Sequence, residues 1–340
     1  MTTRHIVINS KADKEGISEV AEILKQGGIV AIPTETVYGL AANALDGEAV
    51  AKIFKAKGRP QDNPLIVHVS SVEMAKPLVK EFTKSAKALS DKYWPGPLTM
   101  ILERTDLVPK EVSAGLNTVA IRYPKNEVAA AIIEASGLPL AAPSANLSGS
   151  PSPTTAEHCI KDLDGRVDAI VISGDCEVGL ESTVVSLVGS PRLLRPGAVT
   201  VSQLRKALGE IEIDSAVLAE PEKNKPVASP GMKYKHYAPK TKVILVESGR
   251  EEYIEYVNSQ NHEGVYALCF AEDVMGLEVP TVCYGHSDGS GQAEGLFAAL
   301  RELDEKGAKI AYAHSPSLEG VGLAVYNRLI RAAAFCTIKL

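Results

Sequence analysis

The chain reads as an α/β protein, with a mixed sheet in an amino-terminal domain and a small open βαβ domain behind it. Three observations carry that reading. Apolar runs of strand length alternate with amphipathic stretches of helical spacing along the sequence. In the first two hundred or so residues the strands are joined by short turns as well as by helices, which argues for a mixed rather than a regularly parallel sheet. The composition then changes near residue 209, where Glu210 to Lys225 is charged and irregular. A first domain over 1–209, a linker over 210–240 and a second domain over 241–340 are therefore expected.

The run Ile6-Val7-Ile8 opens the chain as a strand. Ile17, Val20, Ala21 and Leu24 recur at helical spacing, and Gly27-Gly28 stops that helix and releases the chain into the buried strand Ile29-Val30-Ala31-Ile32. Pro33 ends the strand, so Thr34 to Leu40 is expected as a loop or helix start at a strand's carboxyl edge, where sites gather in α/β folds. Further strands are predicted over 65–69, 98–102, 118–122, 138–142, 169–172 and 182–187, with helices near 47–57, 72–92, 126–136 and 201–208. Beyond the boundary, 242–246, 264–270 and 309–313 read as strands, and helices are expected near 250–259, 292–306 and 321–334.

A net charge of −6 argues against a protein that coats nucleic acid, because phosphate-neutralising proteins are basic overall; a local basic cleft stays open. The five cysteines, Cys159, Cys176, Cys269, Cys283 and Cys336, form no CxxC pair, so neither a disulfide framework nor a zinc site is suggested. Reduced thiols fit a cytoplasm. Met1 to His5 leads into a strand without the apolar run of a signal peptide, and no window approaches a membrane span. A soluble cytoplasmic protein is expected.

The chemistry concentrates in a few segments. Lys57 and Arg59 flank Gly58, and Asn63 follows between Pro60 and Pro64 in a rigid loop before a buried strand. A polyphosphate needs several fixed donors, for which Arg59 offers a planar fork and Lys57 a compact charge. Pro143-Ser144-Ala145-Asn146-Leu147-Ser148-Gly149 puts a hydroxyl and an amide in a tight turn, although turn chemistry alone could explain it; Ser152 could extend the same polar rim. His68 and Arg122 lie at strand positions, where a core histidine and a surface ion pair are the plainer readings. Ser182 and Thr183 start a strand, and Arg195 sits in a turn before Pro196-Gly197. No HExxH occurs and no serine–histidine–aspartate triad spacing is apparent, so a covalent enzyme nucleophile is not expected.

Taken in order, Pro33 to Leu40, Lys57-Gly58-Arg59 with Asn63-Pro64-Leu65, Pro95-Gly96-Pro97-Leu98-Thr99, Pro143 to Gly149 and Leu194-Arg195-Pro196-Gly197 resemble the L-threonylcarbamoyladenylate synthase family. Ser229 to Tyr237 and the second α/β domain extend the resemblance to the family's long two-domain form. It implies a twisted mixed-sheet first domain with a basic concave cavity and a smaller Rossmann-like second domain. It also implies an enzyme joining L-threonine, bicarbonate or CO2, and ATP into threonylcarbamoyl-AMP and pyrophosphate for the tRNA modification t6A, with Mg2+ accompanying ATP. By resemblance, Arg59, Asn63, Thr118, Ser144, Asn146, Ser152, Arg195 and Tyr234 hold ATP, and Lys57 neutralises its phosphates. Thr36, His68, Arg122, Ala142 and Ser182 form the threonine pocket, with Arg122 clamping the carboxylate. The product passes to the tRNA threonylcarbamoyl-transfer machinery.

The linker gathers Tyr234, His236 and Tyr237 between Pro230 and Pro239, unlike a Gly/Ser tether, which suggests a lid over the cavity. A double-stranded RNA-binding or ribosome-associated module is the alternative reading, against which the acidic charge weighs. Direct RNA binding is left open. A carbamoyl-transfer enzyme of hydrogenase maturation would require a zinc-finger segment, which the cysteine spacing excludes.

Overall fold

The structure, a computed structural model, describes residues 2–219 and 237–340. It divides into two compact units, the first built from most of the chain up to residue 219. Among the described residues its strands are β1 (Arg4–Val7), β2 (Val30–Ile32), β3 (Gly39–Asn43), β4 (Ile66–His68), β5 (Leu98–Glu103), β6 (Thr118–Arg122), β7 (Leu140–Ala141), β8 (Ala169–Ile172), β9 (Thr183–Ser186), β10 (Arg192–Arg195) and β11 (Glu212–Ile213). They form one mixed sheet in the order β1-β8-β2-β3-β7-β4-β6-β5-β9-β10-β11. β4 and β6 run parallel, whereas β7 and β5, on their outer sides, run antiparallel to them.

Several expectations are corrected here. Thr34 to Leu40 is a tight connection that leads straight into β3, antiparallel to β2. The helix expected over 72–92 breaks into Val72–Ala75, a turn at Lys76–Leu78 and Lys84–Tyr93, because Pro77 has no N–H for an α-helical bond. Arg195 ends strand β10 rather than sitting in the turn itself, and β11 carries the first unit's sheet past residue 209.

One face of the sheet is covered along its length by a cluster that includes Tyr38, Phe54, Val67, Met100, Ile121 and Val185. The other face is covered differently in its two halves. Over the β1 to β7 side, Val20 and Leu24 of the helix Lys14–Lys25 and Ile132 and Ile133 of the helix Glu127–Ser136 pack on Val30, Ile32 and Leu140. Over β4, β6, β5, β9 and β10 the described residues form a small patch of Ile66, Ile101, Ala120, Val184 and Leu194, against which Ala216 packs.

The second unit is a parallel sheet of β12 (Lys242–Glu247), β13 (Val265–Cys269), β14 (Thr281–Cys283), β15 (Ile310–His314) and β16 (Thr337–Lys339), ordered β14-β13-β15-β12-β16. Helices Arg250–Ser259, Gln292–Glu305 and Gly322–Ala332 accompany it, as expected of a βαβ unit. Gly149–Ser152 and Val178–Leu180 also belong to this unit. There Gly149 accepts a backbone bond from Ala238 at 2.9 Å, and Arg301 donates to the Pro151 carbonyl at 2.6 Å.

Candidate active site

Strand pairing gathers the polar residues of the first unit. In β4, His68 shares a face with Ile66; in β6, Arg122 shares it with Ala120 and Thr118; in β5, Thr99 shares it with Ile101. Register then aligns His68 with Arg122 and Arg122 with Thr99, so one polar row crosses three strands at the edge of the apolar patch. All three are at most 3% exposed.

Arg122 is held on several sides. Its Nε donates to the Gly96 carbonyl at 3.3 Å, one terminal nitrogen donates to Thr36 Oγ1 at 2.7 Å, and the other lies 2.6 Å from Glu35 Oε2. Thr36 and Glu35 come from the connection between β2 and β3. Its shape is set by Thr34, whose hydroxyl donates to the Val37 carbonyl at 2.6 Å and accepts from the Thr36 and Val37 amides. Burial and the nearby guanidinium lower the His68 pKa to about 3, so its imidazole is neutral at physiological pH. Burial pushes the neighbouring Cys176 thiol up to about 12, which makes it an unreactive packing group.

Farther along the sheet, Thr99 Oγ1 lies 2.7 Å from Ser182 Oγ, and Arg195 donates to the Ser182 carbonyl at 3.0 Å and to its hydroxyl at 3.2 Å. Gly197 is required there, since a Cβ would lie 2.5 Å from the Thr183 backbone nitrogen. A contiguous chain of contacts and register neighbours therefore runs Arg195, Ser182, Thr99, Arg122, Thr36. Thr99 is the member that sequence reasoning missed. Its side chain joins the two halves only through strand register, which local pattern does not reveal.

The helix Gly47–Lys57 begins on the Asp46 carboxylate, which accepts from Glu48 and Ala49 amides, and ends at Gly58 with φ of 62°. That left-handed residue turns the chain and leaves Lys57 buried. Its ammonium donates to the Ser144 carbonyl at 2.5 Å and the Asn146 carbonyl at 2.6 Å, with Asn146 Oδ1 at 3.4 Å. The Ser148 amide returns a bond to the Lys57 carbonyl at 2.9 Å. These bonds make Lys57 the anchor of the Pro143 to Gly149 loop, a different task from the phosphate neutralisation expected of it. The loop also meets the β2–β3 connection, where the Ala145 amide donates to the Tyr38 carbonyl at 2.8 Å.

Arg59 is half-buried, with one nitrogen 3.5 Å from the Asn63 carbonyl. Asn63 is fully buried, and its side-chain amide has no hydrogen-bond partner among the described residues. Asn63 and Thr118 sit at the starts of β4 and β6, while His68 and Arg122 sit at their ends. Four residues of strand separate Thr118 from Arg122, about 13 Å at strand rise. Of the residues expected for the nucleotide, Thr118 and Asn63 thus lie at the opposite end of these strands from His68 and Arg122, whereas Arg195 lies at the Arg122 end against Ser182, and Ala142 is buried beyond β7. Ser152 is buried within the second unit, and Tyr234 lies outside the described residues, as does most of the expected lid. A surface recess of about 660 Å³ beside β1, lined by Arg4, His5, Asp13, Lys14 and Glu19, contains none of these residues.

A buried neutral histidine makes stability pH-dependent. The unfolded chain binds a proton at the ordinary histidine pKa of 6.5 while folded His68 does not until about 3. Its contribution is therefore complete above pH 6.5 and is lost as pH falls toward 3. Urea unfolding at pH 5 is expected to show about 2 kcal/mol less stability from this group than at pH 7.5. H68Q is expected to lose that part of the dependence; an unchanged pH profile in H68Q would refute the buried neutral state.

The fold and site are those of a two-unit α/β protein whose mixed-sheet unit carries a buried row of polar side chains. The family profile described as Telomere recombination matches residues 22–197, and that described as Threonylcarbamoyl-AMP synthase, C-terminal domain, matches 199–334. The threonylcarbamoyl-AMP synthase of Pyrococcus abyssi is 41% identical over 342 residues, covering 98% of this chain and 99% of its own length. That of Bacillus subtilis is 44% identical over 329 residues, covering 95% and 94%. The structure of P. abyssi Sua5 complexed with L-threonine is similar with a TM-score of 0.93 at 40% identity, covering 99% of this chain and all of that one. The chain belongs to the threonylcarbamoyl-AMP synthase family. Among the described residues, no helix is long and apolar enough to cross a membrane.

Proposed function

We propose that the protein converts L-threonine, bicarbonate or CO2, and ATP into L-threonylcarbamoyl-AMP and pyrophosphate, and passes the adenylate in the cytoplasm to the machinery that makes t6A in tRNA. The observation that supports this most is the continuous buried polar row from Arg195 to Thr36, with the Lys57-anchored loop joined to its Thr36 end. The L-threonine complex of a relative with the same fold supports the amino-acid half.

In this reading Thr36, Arg122, His68, Ser182 and the Ala142 backbone take the threonine. Arg122 faces its carboxylate. Arg59, Asn63, Thr118, Ser144, Asn146 and Arg195 take the nucleotide, and Ser152 and Tyr234 extend that site. Threonine's amine gains a carboxyl group, and the resulting carbamate oxygen attacks the α-phosphorus while pyrophosphate leaves in line. Such a displacement needs orientation and charge neutralisation rather than a protein nucleophile. The nucleotide-side residues are cationic or neutral, so magnesium reaches the site on the ATP phosphates.

Pyrophosphate release from MgATP tests the reading. Release should require both L-threonine and bicarbonate, and R59A should abolish it while leaving the unfolding free energy within about 0.5 kcal/mol of wild type. Release with L-serine alone, or none with any amino acid, would overturn the assignment.

A further inference from the structure

Glu35 is 3% exposed at the carboxyl edge of β2, facing Arg122. Its Oε2 lies 2.6 Å from an Arg122 terminal nitrogen, yet neither carboxylate oxygen accepts a hydrogen bond among the described residues. Oε2 is matched in charge by the guanidinium, and Oε1 has no hydrogen-bond partner among the described residues. Leaving a buried carboxylate in that state is costly. The neighbouring hydroxyls donate elsewhere, Thr34 to the Val37 carbonyl and Thr36 to Thr34 Oγ1. Of the five guanidinium N–H groups, Gly96 and Thr36 take two, so Arg122 keeps donors for a second carboxylate.

A zwitterionic amino acid completes both halves of this arrangement. Its carboxylate meets the remaining donors of Arg122, and its ammonium supplies the N–H groups that the Glu35 oxygens lack. His68, neutral and buried, lies at the register position of Arg122 beside this pair.

We infer that Glu35 binds the α-ammonium of the amino-acid substrate, so that the Glu35–Arg122 pair selects α-amino acids over hydroxy acids of the same shape. This rests on the threonine reading above and adds a specificity-determining residue to it. The test compares the Kd values of L-threonine and its des-amino analogue, (R)-3-hydroxybutanoate, by calorimetry. Wild type should prefer L-threonine by at least about a hundredfold, the worth of a charge-assisted bond to a buried carboxylate, and E35Q should bring that ratio below about ten. The analogue, which needs only Arg122, should bind E35Q at least as tightly as wild type. E35D keeps the charge but withdraws the oxygens by one methylene; it should weaken L-threonine at least about tenfold and leave the analogue unchanged. Undiminished discrimination in E35Q, or equal weakening of both ligands in either variant, would show that Glu35 merely positions Arg122 and overturn the inference. Wild type binding neither ligand would instead overturn the threonine reading itself.

Discussion

Replacing Arg122 with methionine is expected to remove threonine-dependent pyrophosphate release altogether and to destabilise the fold by about 3–5 kcal/mol, because Glu35 becomes a buried charge without its counter-ion. The Thr36 hydroxyl and the Gly96 carbonyl lose their donors in the same step. The double variant E35Q/R122M separates these effects. Removing both charges spares the protein the unpaired carboxylate, so most of the stability should return while activity stays absent. Urea unfolding of the two single variants and the double variant gives the coupling directly. A double variant no more stable than R122M would mean that the pair is not coupled, and activity in R122M would remove the carboxylate clamp.

The sequence showed which segments matter better than it showed what each side chain does there. Ser144 and Asn146 were legible because Pro143 and Gly149 mark the turn that holds them, and turn chemistry is local, whereas Thr36, Arg122, Ser182 and Arg195 took their roles from the order of motifs that carries the family resemblance. Glu35 was not singled out, since a glutamate between two threonines reads as a solvated loop residue until Arg122, 87 positions along the chain by its number, is placed against it. Thr99 was quoted within a motif but given no role. Its link to Ser182 depends on β5 lying between β6 and β9, an order fixed by long-range pairing. The strand β3 was obscured because Gly39 to Asn43 is built largely from small residues, whose burial depends on neighbours such as β2 and β7 rather than on any alternation of their own.

Lys57 shows how the chemistry of a residue can be legible while its partner is not. Its charge and its place before Gly58 suggested a phosphate ligand, yet its ammonium points into the protein, toward the Ser144 and Asn146 carbonyls. K57M keeps the apolar stem and removes the donors. Two acceptors then lose a buried charged partner at about 1–3 kcal/mol each, so a stability loss of about 2–6 kcal/mol is expected. The loop that presents Ser144 and Asn146 is released at the same time. kcat/KM for ATP should fall at least about a hundredfold, as expected when a positioning element moves by an ångström or so. K57R should do little better, since both carbonyls converge on a single ammonium nitrogen, whereas a planar guanidinium spreads its N–H groups over three nitrogens. Hydrogen exchange across 143–149 gives the decisive readout: if Lys57 anchors the loop, these amides exchange faster in K57M without nucleotide present. If it serves only as a phosphate counter-charge, K57M leaves both the exchange and the unfolding free energy unchanged and only KM for ATP rises.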